Sequence, residues 1–308
     1  MSDALIVSCH GTVARLEDLP AFLRNIRRGH EAPPELVAEV RRRFEHIGGS
    51  PLMEITARQA AALEARLGLP VRVAGRLWAP YPAEVVAELA RLGVRRLVSL
   101  PLAPQSVDVY HAALAPACAE HALELVRVPP WGTEPVLIEA FASALETAAA
   151  ARAVPRGELG VILSAHSLPL RVLASGDPYE QQFRAMAELV ASALVARGFT
   201  GSLVRVAFQS QGFGADAWLG PTLEDTLAEL RRDTAHVLLG AIGFVAEHVE
   251  TLYDLDVEAR ALAERLGYGT FLRMPALDDA PRFIDALELV ARRALASCEL
   301  VGQLLLRD

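Results

Sequence analysis

The stretch LIVSCHG, from Leu5 to Gly11, and the stretch VILSAHS, from Val161 to Ser167, share one design: a β-branched apolar run that stops at Ser-x-His-small. A run of this length bounded by a turn reads as a buried strand. Working outward from the two copies, apolar runs at 4–8, 71–76, 96–101, 123–128, 159–164, 203–208 and 236–241 alternate with amphipathic helical patterns such as 56–68, 82–93 and 179–198. That alternation predicts an α/β protein with parallel sheets. The tetrapeptide VRVA stands at Val71 and again at Val204, each time followed by a Trp (Trp78, Trp218) and then a helix. Both halves therefore run strand, Ser-x-His, helix, VRVA strand, Trp, helix, strand. The repeat predicts two similar doubly wound domains, 1–153 and 154–308, whose strand ends face a central cleft. A linker is expected at 148–159, and an extra helical segment at about 17–50 is expected to line the cleft.

Composition narrows the function. With a net charge of −8 and no lysine, the chain has no basic stripe dense enough to neutralise a row of phosphates, so nucleic acid is excluded as a partner. The longest apolar run, Val237 to Ala246, falls short of the ~20 residues that span a bilayer, which leaves only a peripheral membrane contact open. The start, MSDALIVSCHG, lacks a basic region followed by a cleavable apolar segment. Cys9, Cys118 and Cys298 are scattered thiols without Cys-x-x-Cys spacing, which suits the cytoplasm and gives no zinc or iron–sulfur site. A monomer is expected.

The richest chemistry lies in GFVAEHVETLYDLDVEARALAERLG (243–267). Glu247, Glu250, Asp254 and Glu258 follow at spacings of three, four and four, which on a helix stacks four carboxylates along one face. Like charges so placed repel and cost stability unless something positive meets them. Oxygen ligands in a row suit the passage of a hydrated divalent cation. His166, after its strand, becomes a metal ligand or a general base if it meets that stripe. His10, in the equivalent turn, is expected to be structural, because no acidic stripe follows LPLAPQS (100–106). Trp218 offers a flat surface for a planar ligand. Arg27 and Arg28 suit bidentate grip on ligand carboxylates, with Ser50 and Tyr110 as neutral partners.

Taken in order, IRRG, IGGSPLMEIT, SAHSLP, GDPYEQQ, FQSQG, WLGPTLEDTL and GFVAEHVETLYDLDVEA resemble the ferrochelatase family across nearly the whole chain. The resemblance implies two Rossmann-like domains of the chelatase type around a porphyrin cleft, and insertion of Fe2+, as substrate, to make haem or coprohaem in haem biosynthesis. It implies a catalytic pair of His166 and Glu250, a metal path continuing through Asp254 and Glu258, a pocket wall at Trp218, and propionate contacts at Arg27, Ser50 and Tyr110. Secondary positions are Glu247 and His248 beside the stripe, and Val13, which follows Gly11-Thr12 where the coproporphyrin branch often carries Tyr. Protoporphyrin IX and coproporphyrin III both remain open as substrate. No resident cofactor is required, and Cys298 alone near the C-terminus implies no [2Fe–2S] cluster. The rival readings are a sirohydrochlorin cobaltochelatase and a non-catalytic tetrapyrrole- or metal-binding protein.

Overall fold

Every apolar run named above forms a parallel strand, and the repeat in sequence is a repeat in topology. A computed structural model describes residues 2–212 and 217–305, with side chains through residue 296. The strands are β1 (Asp3–Cys9), β2 (Val71–Gly75), β3 (Arg96–Pro101), β4 (Glu124–Arg127), β5 (Gly160–His166), β6 (Val204–Gln209), β7 (His236–Gly240) and β8 (Thr270–Arg273). One sheet has the order β2-β1-β3-β4 and the other β6-β5-β7-β8. The registers also correspond: Leu5 lies opposite Val71, and Val161 opposite Val204, so the two VRVA copies pair with the two His-bearing strands in the same way. The central strands β1 and β5 carry continuous buried runs, as strands covered on both faces must.

The chain divides into two compact units at places other than those the repeat predicts. One holds 1–131 together with 278–308, the other 132–277. The predicted division at 153/154 fails for two helices. Helix Pro135–Ala149 turns Leu137, Ile138, Phe141 and Leu145 inward and packs on helix Tyr179–Val195 and on β7, so it belongs to the second sheet. Helix Pro281–Leu305 returns to the first: Phe283 stacks on Trp131 at 6.2 Å, Gln59 Nε2 donates to the Asp278 carbonyl at 2.6 Å, and Arg58 pairs with Asp279 at 3.0 Å. Burial of apolar faces outweighs sequence order, and the chain crosses twice rather than once. The segment 148–159 is an intra-unit connection.

In the first unit, the extra segment after β1 forms helix Leu19–Ile26 and helix Pro34–Ile47. The second ends on Gly48 in the left-handed region (φ 76°), with Gly49 N–H donating to the Phe44 carbonyl at 2.9 Å. That cap turns the chain sharply into Ser50 and the start of helix Leu52–Leu67.

Candidate active site

In the second unit, β5 carries its hydrogen-bond ladder through His166, which lies opposite Gln209 of β6. The imidazole is held from several sides. Its Nδ1–H donates to the Ser167 carbonyl, because a carbonyl can only accept, so Nε2 is the nitrogen left for chemistry. Tyr179 Oη donates to the His166 carbonyl at 2.8 Å, and Ser167 Oγ donates to the Leu219 carbonyl at 2.8 Å. Gly243 completes the fit, since a Cβ there would lie 2.4 Å from the Ala165 Cβ.

His166 Nε2 lies 3.5 Å from Glu250 Oε1, and each side chain is about one-third exposed (33% and 34%). Burial works against charge on His166, but the Glu250 carboxylate and the Ser167 carbonyl outweigh it and raise the pKa to about 9. At neutral pH the pair is an imidazolium beside a carboxylate. His248 behaves differently. Burial lowers its pKa, and its Nδ1 accepts the Glu250 N–H at 3.1 Å, so it stays neutral with its proton on Nε2. The Phe244 ring stands edge-on to both imidazoles, at 6.5 Å from His166 and 4.6 Å from His248.

Glu250 opens a π-helix, Glu250–Ala259. A step of four overshoots the roughly 3.6-residue turn of an α-helix and falls short of the wider i→i+5 turn, so Glu250, Asp254 and Glu258 keep to one side while their slant reverses. Asp254 accepts from Ser210 Oγ at 2.6 Å, and Glu258 is exposed. Ser210 adopts φ 58°, a left-handed backbone that is uncommon for serine and concentrates at functional positions. Among the described residues no three His, Cys, Asp or Glu side chains converge on one point to cage a metal. Of the residues expected to form the metal path, His166 and Glu250 are in contact, and Asp254 and Glu258 follow Glu250 along the same helix.

Glu247 is not part of that ladder. It precedes the helix, is buried, and spends both oxygens on the protein: Oε1 accepts from Arg273 Nη1 at 2.7 Å and from Ala276 N–H at 2.9 Å, and Oε2 accepts from Thr251 Oγ1 at 2.5 Å. Thr251 Oγ1 in turn accepts the His248 N–H at 2.9 Å, a local cap that ends the helical spacing before it reaches Glu247. The positive charge that the acidic run requires is Arg273, bound also to Asp256 by two parallel bonds of 2.8 and 2.7 Å.

The first unit holds the other expected contacts. Ser50 and Val13 line a pocket of about 490 Å³ together with Thr12, Met53 and Glu54. The Ser50 hydroxyl is shielded and without a hydrogen-bond partner, and Val13 is buried at the pocket wall. Arg27 and Arg28 are exposed just past helix Leu19–Ile26, with Arg27 Nε donating to the Glu31 carbonyl at 3.2 Å. Tyr110, expected as a neutral partner of ligand carboxylates, is buried. It is 8% exposed in helix Val107–Glu120, its pKa is pushed up to about 12 by burial, and the Arg76 guanidinium lies 5.7 Å over its ring. In the second unit Trp218 is half-buried, its indole so close to Gly212 that a Cβ there would lie 2.8 Å from the ring. Residues 213–216 before it, and the Cys298 side chain, lie outside the described residues.

A family model described as Ferrochelatase matches residues 2–295. The chain belongs to the ferrochelatase family. A ferrochelatase of Acidobacterium capsulatum is 37% identical over 95% of this chain and 94% of its own length. A coproporphyrin III ferrochelatase of Oceanobacillus iheyensis is 31% identical over 95% and 97%. Among solved structures, SirB from Bacillus subtilis with Fe3+ superposes with a TM-score of 0.62 at 13% identity, covering 97% of this chain and 98% of that one. The siroheme-pathway enzyme CbiX gives 0.56 at 14%, covering 96% and 99%. Those two likenesses show a shared chelatase fold, and the family identifies the chain as an enzyme, a metal chelatase of the lyase class.

Sequence reasoning missed Tyr179, Ser210, Asp256 and Arg273. Tyr179 and Ser210 stand in quoted motifs, GDPYEQQ and FQSQG, where no spacing rule marks them. Asp256 and Arg273 are legible only once β8 is known.

Proposed function

We propose that this chain inserts Fe2+ into a porphyrin, protoporphyrin IX or coproporphyrin III, with His166 and Glu250 as the residues that handle protons. The observation that carries this reading is the His166 Nε2 to Glu250 Oε1 approach of 3.5 Å at a strand end, in a chain whose family is ferrochelatase. A free-base porphyrin must lose two N–H protons and bend out of plane, and the ion must shed its waters. His166 Nε2, once it has given its own proton to the Glu250 side, accepts a pyrrole proton; Glu250 relays it toward Asp254 and the exposed Glu258. The same oxygens replace water on the incoming ion one at a time, which suits a ladder better than a cage.

The pocket at Ser50 supplies a hydroxyl for a ring carboxylate, and Arg27 and Arg28 supply charge for others. Trp218 walls the planar ligand. The proposed working unit is a monomer, and iron enters as substrate with no resident cofactor. Buried thiols at Cys9 and Cys118, both unpaired, support a cytoplasmic setting. No helix among the described residues is long and apolar enough to cross a membrane.

The test is anaerobic Fe2+ insertion, with Zn2+ in parallel, into each porphyrin, followed by loss of the free-base visible bands. Turnover of either porphyrin supports the reading, and the ratio of kcat/KM between them names the substrate. Failure with both sinks it.

A further inference from the structure

Arg273 is the last residue of β8 and lies opposite Leu239 of β7, so its position is set by the sheet and not by the acidic helix. Its side chain is 9% exposed. Two carboxylates share its fork: Glu247, three residues before Glu250, and Asp256, two residues after Asp254. One planar cation thus grips the polypeptide on either side of the stretch that carries both acids. A change from i→i+5 to i→i+4 bonding would rotate and lengthen that stretch, and Glu247 and Asp256 could not then both meet a rigid fork.

We propose that Arg273 is a positioning residue for metal insertion: through Glu247 and Asp256 it holds the helix in its wide register and so keeps Glu250 within reach of His166 Nε2. The inference rests on the functional reading above. A cation serving stability alone has no need of two partners that bracket the reacting acid. Lysine in its place would keep the charge and lose the parallel bonds to Asp256.

Two variants test this while sparing most of the buried network. Asp256→Asn removes the helix-side charge and leaves the Arg273–Glu247 pair intact, and Asp256 is 30% exposed, so the fold should tolerate it. Arg273→Lys removes the fork. Both are expected to keep the wild-type circular dichroism, to lose about tenfold or more in kcat for Zn2+ and Fe2+ insertion, to raise KM for the metal, and to change KM for porphyrin less than about twofold, within the spread seen for an oriented contact acting at a distance. Amide hydrogen exchange at 250–259, read in the same samples without turnover, should quicken in both. Wild-type kcat, metal KM and exchange in the folded variants would overturn the inference. A wild type that metalates neither porphyrin would instead refute the functional reading, and the exchange data would still decide whether Arg273 holds the helix.

Discussion

The turn at His10 and the turn at His166 are built alike and end differently. Each follows the central strand of its sheet, each lies beside a VRVA strand, and each imidazole gives its Nδ1–H to the carbonyl of the next residue, Gly11 or Ser167. Both therefore present Nε2. What that nitrogen meets is set by other segments. The His10 ring stands edge-on to Phe22 at 6.0 Å, whereas His166 faces Glu250 at 3.5 Å. After β3 the chain enters LAPQS and a helix that buries Tyr110 and His111; after β7 it enters an acidic π-helix. Duplication supplied two identical mounts, and the segment after the third strand of each sheet decides which mount does chemistry.

The largest effect expected from breaking this asymmetry is loss of His166. His166→Ala should lower kcat by about 10²–10⁴-fold, the usual worth of a positioned proton acceptor, while quenching of porphyrin fluorescence shows binding kept within about threefold. A variant that binds and still turns over at the wild-type rate would leave the second mount as idle as the first.

Acidity is the next lever. With its pKa near 9, His166 is mostly protonated at pH 7, so kcat/KM should climb with pH, inflect near pH 9 and level off above it. Glu250→Gln removes the main charge that raises it, and the inflection should fall toward the ordinary histidine value of about 6.5. The sign for stability runs the other way. Because the folded pKa lies above the unfolded one, the pair's contribution is whole below about pH 6.5 and fades as pH rises through about 9. The gap in stability between wild type and Glu250→Gln, read from thermal melts, should be widest near pH 6 and close by pH 10, and should stay under about 1 kcal/mol because both groups are a third exposed. A pH-independent gap would mean that His166 and Glu250 do not share charge in solution.

A smaller effect separates strain from function at Ser210. Ser210→Gly removes the hydroxyl from Asp254 and gives the left-handed backbone to the residue that adopts it most easily. Relief of about 1–2 kcal/mol of left-handed strain should roughly offset the lost hydrogen bond and the about 0.4–1 kcal/mol of unfolded-state entropy that glycine adds, so Tm changes little. KM for the metal should rise severalfold. Unchanged metal KM would show Asp254 to be oriented by the helix alone.

These contrasts also show what could be read without coordinates. Seven strands were legible because each lies in an apolar run of strand length, and the duplicated order of motifs gave the topology. The eighth, TFLR at 270–273, is a half-buried edge strand with no alternation to mark it, and with it went Arg273 and the reason for Asp256 and the buried Glu247. Spacing put Glu250, Asp254 and Glu258 on one helix, where a step of four nearly closes both helix types. It failed at Glu247, where Thr251 caps the turn and the helix has not yet begun. The unit boundary was hidden for a different reason: amphipathic helices 135–149 and 281–305 each fit either sheet by pattern, and only shape-specific packing such as Phe283 on Trp131 assigns them. Ser210 carried no signal at all, because its backbone angle is imposed by the fold.

The smallest expected effect bears hardest on the comparison. His10 is exposed, and its ring contributes an edge contact to Phe22, which itself meets Trp78 edge-on at 5.9 Å. His10→Ala should therefore cost about 1–2 kcal/mol of stability, the worth of an aromatic contact and a partly exposed hydrogen bond, and should leave kcat and both KM values within about twofold of wild type. The measurement is the same insertion assay beside a thermal melt. Should His10→Ala instead match His166→Ala in lost kcat, then a proton acceptor does not need a carboxylate at 3.5 Å, and the acidic helix would have to be explained by metal delivery alone.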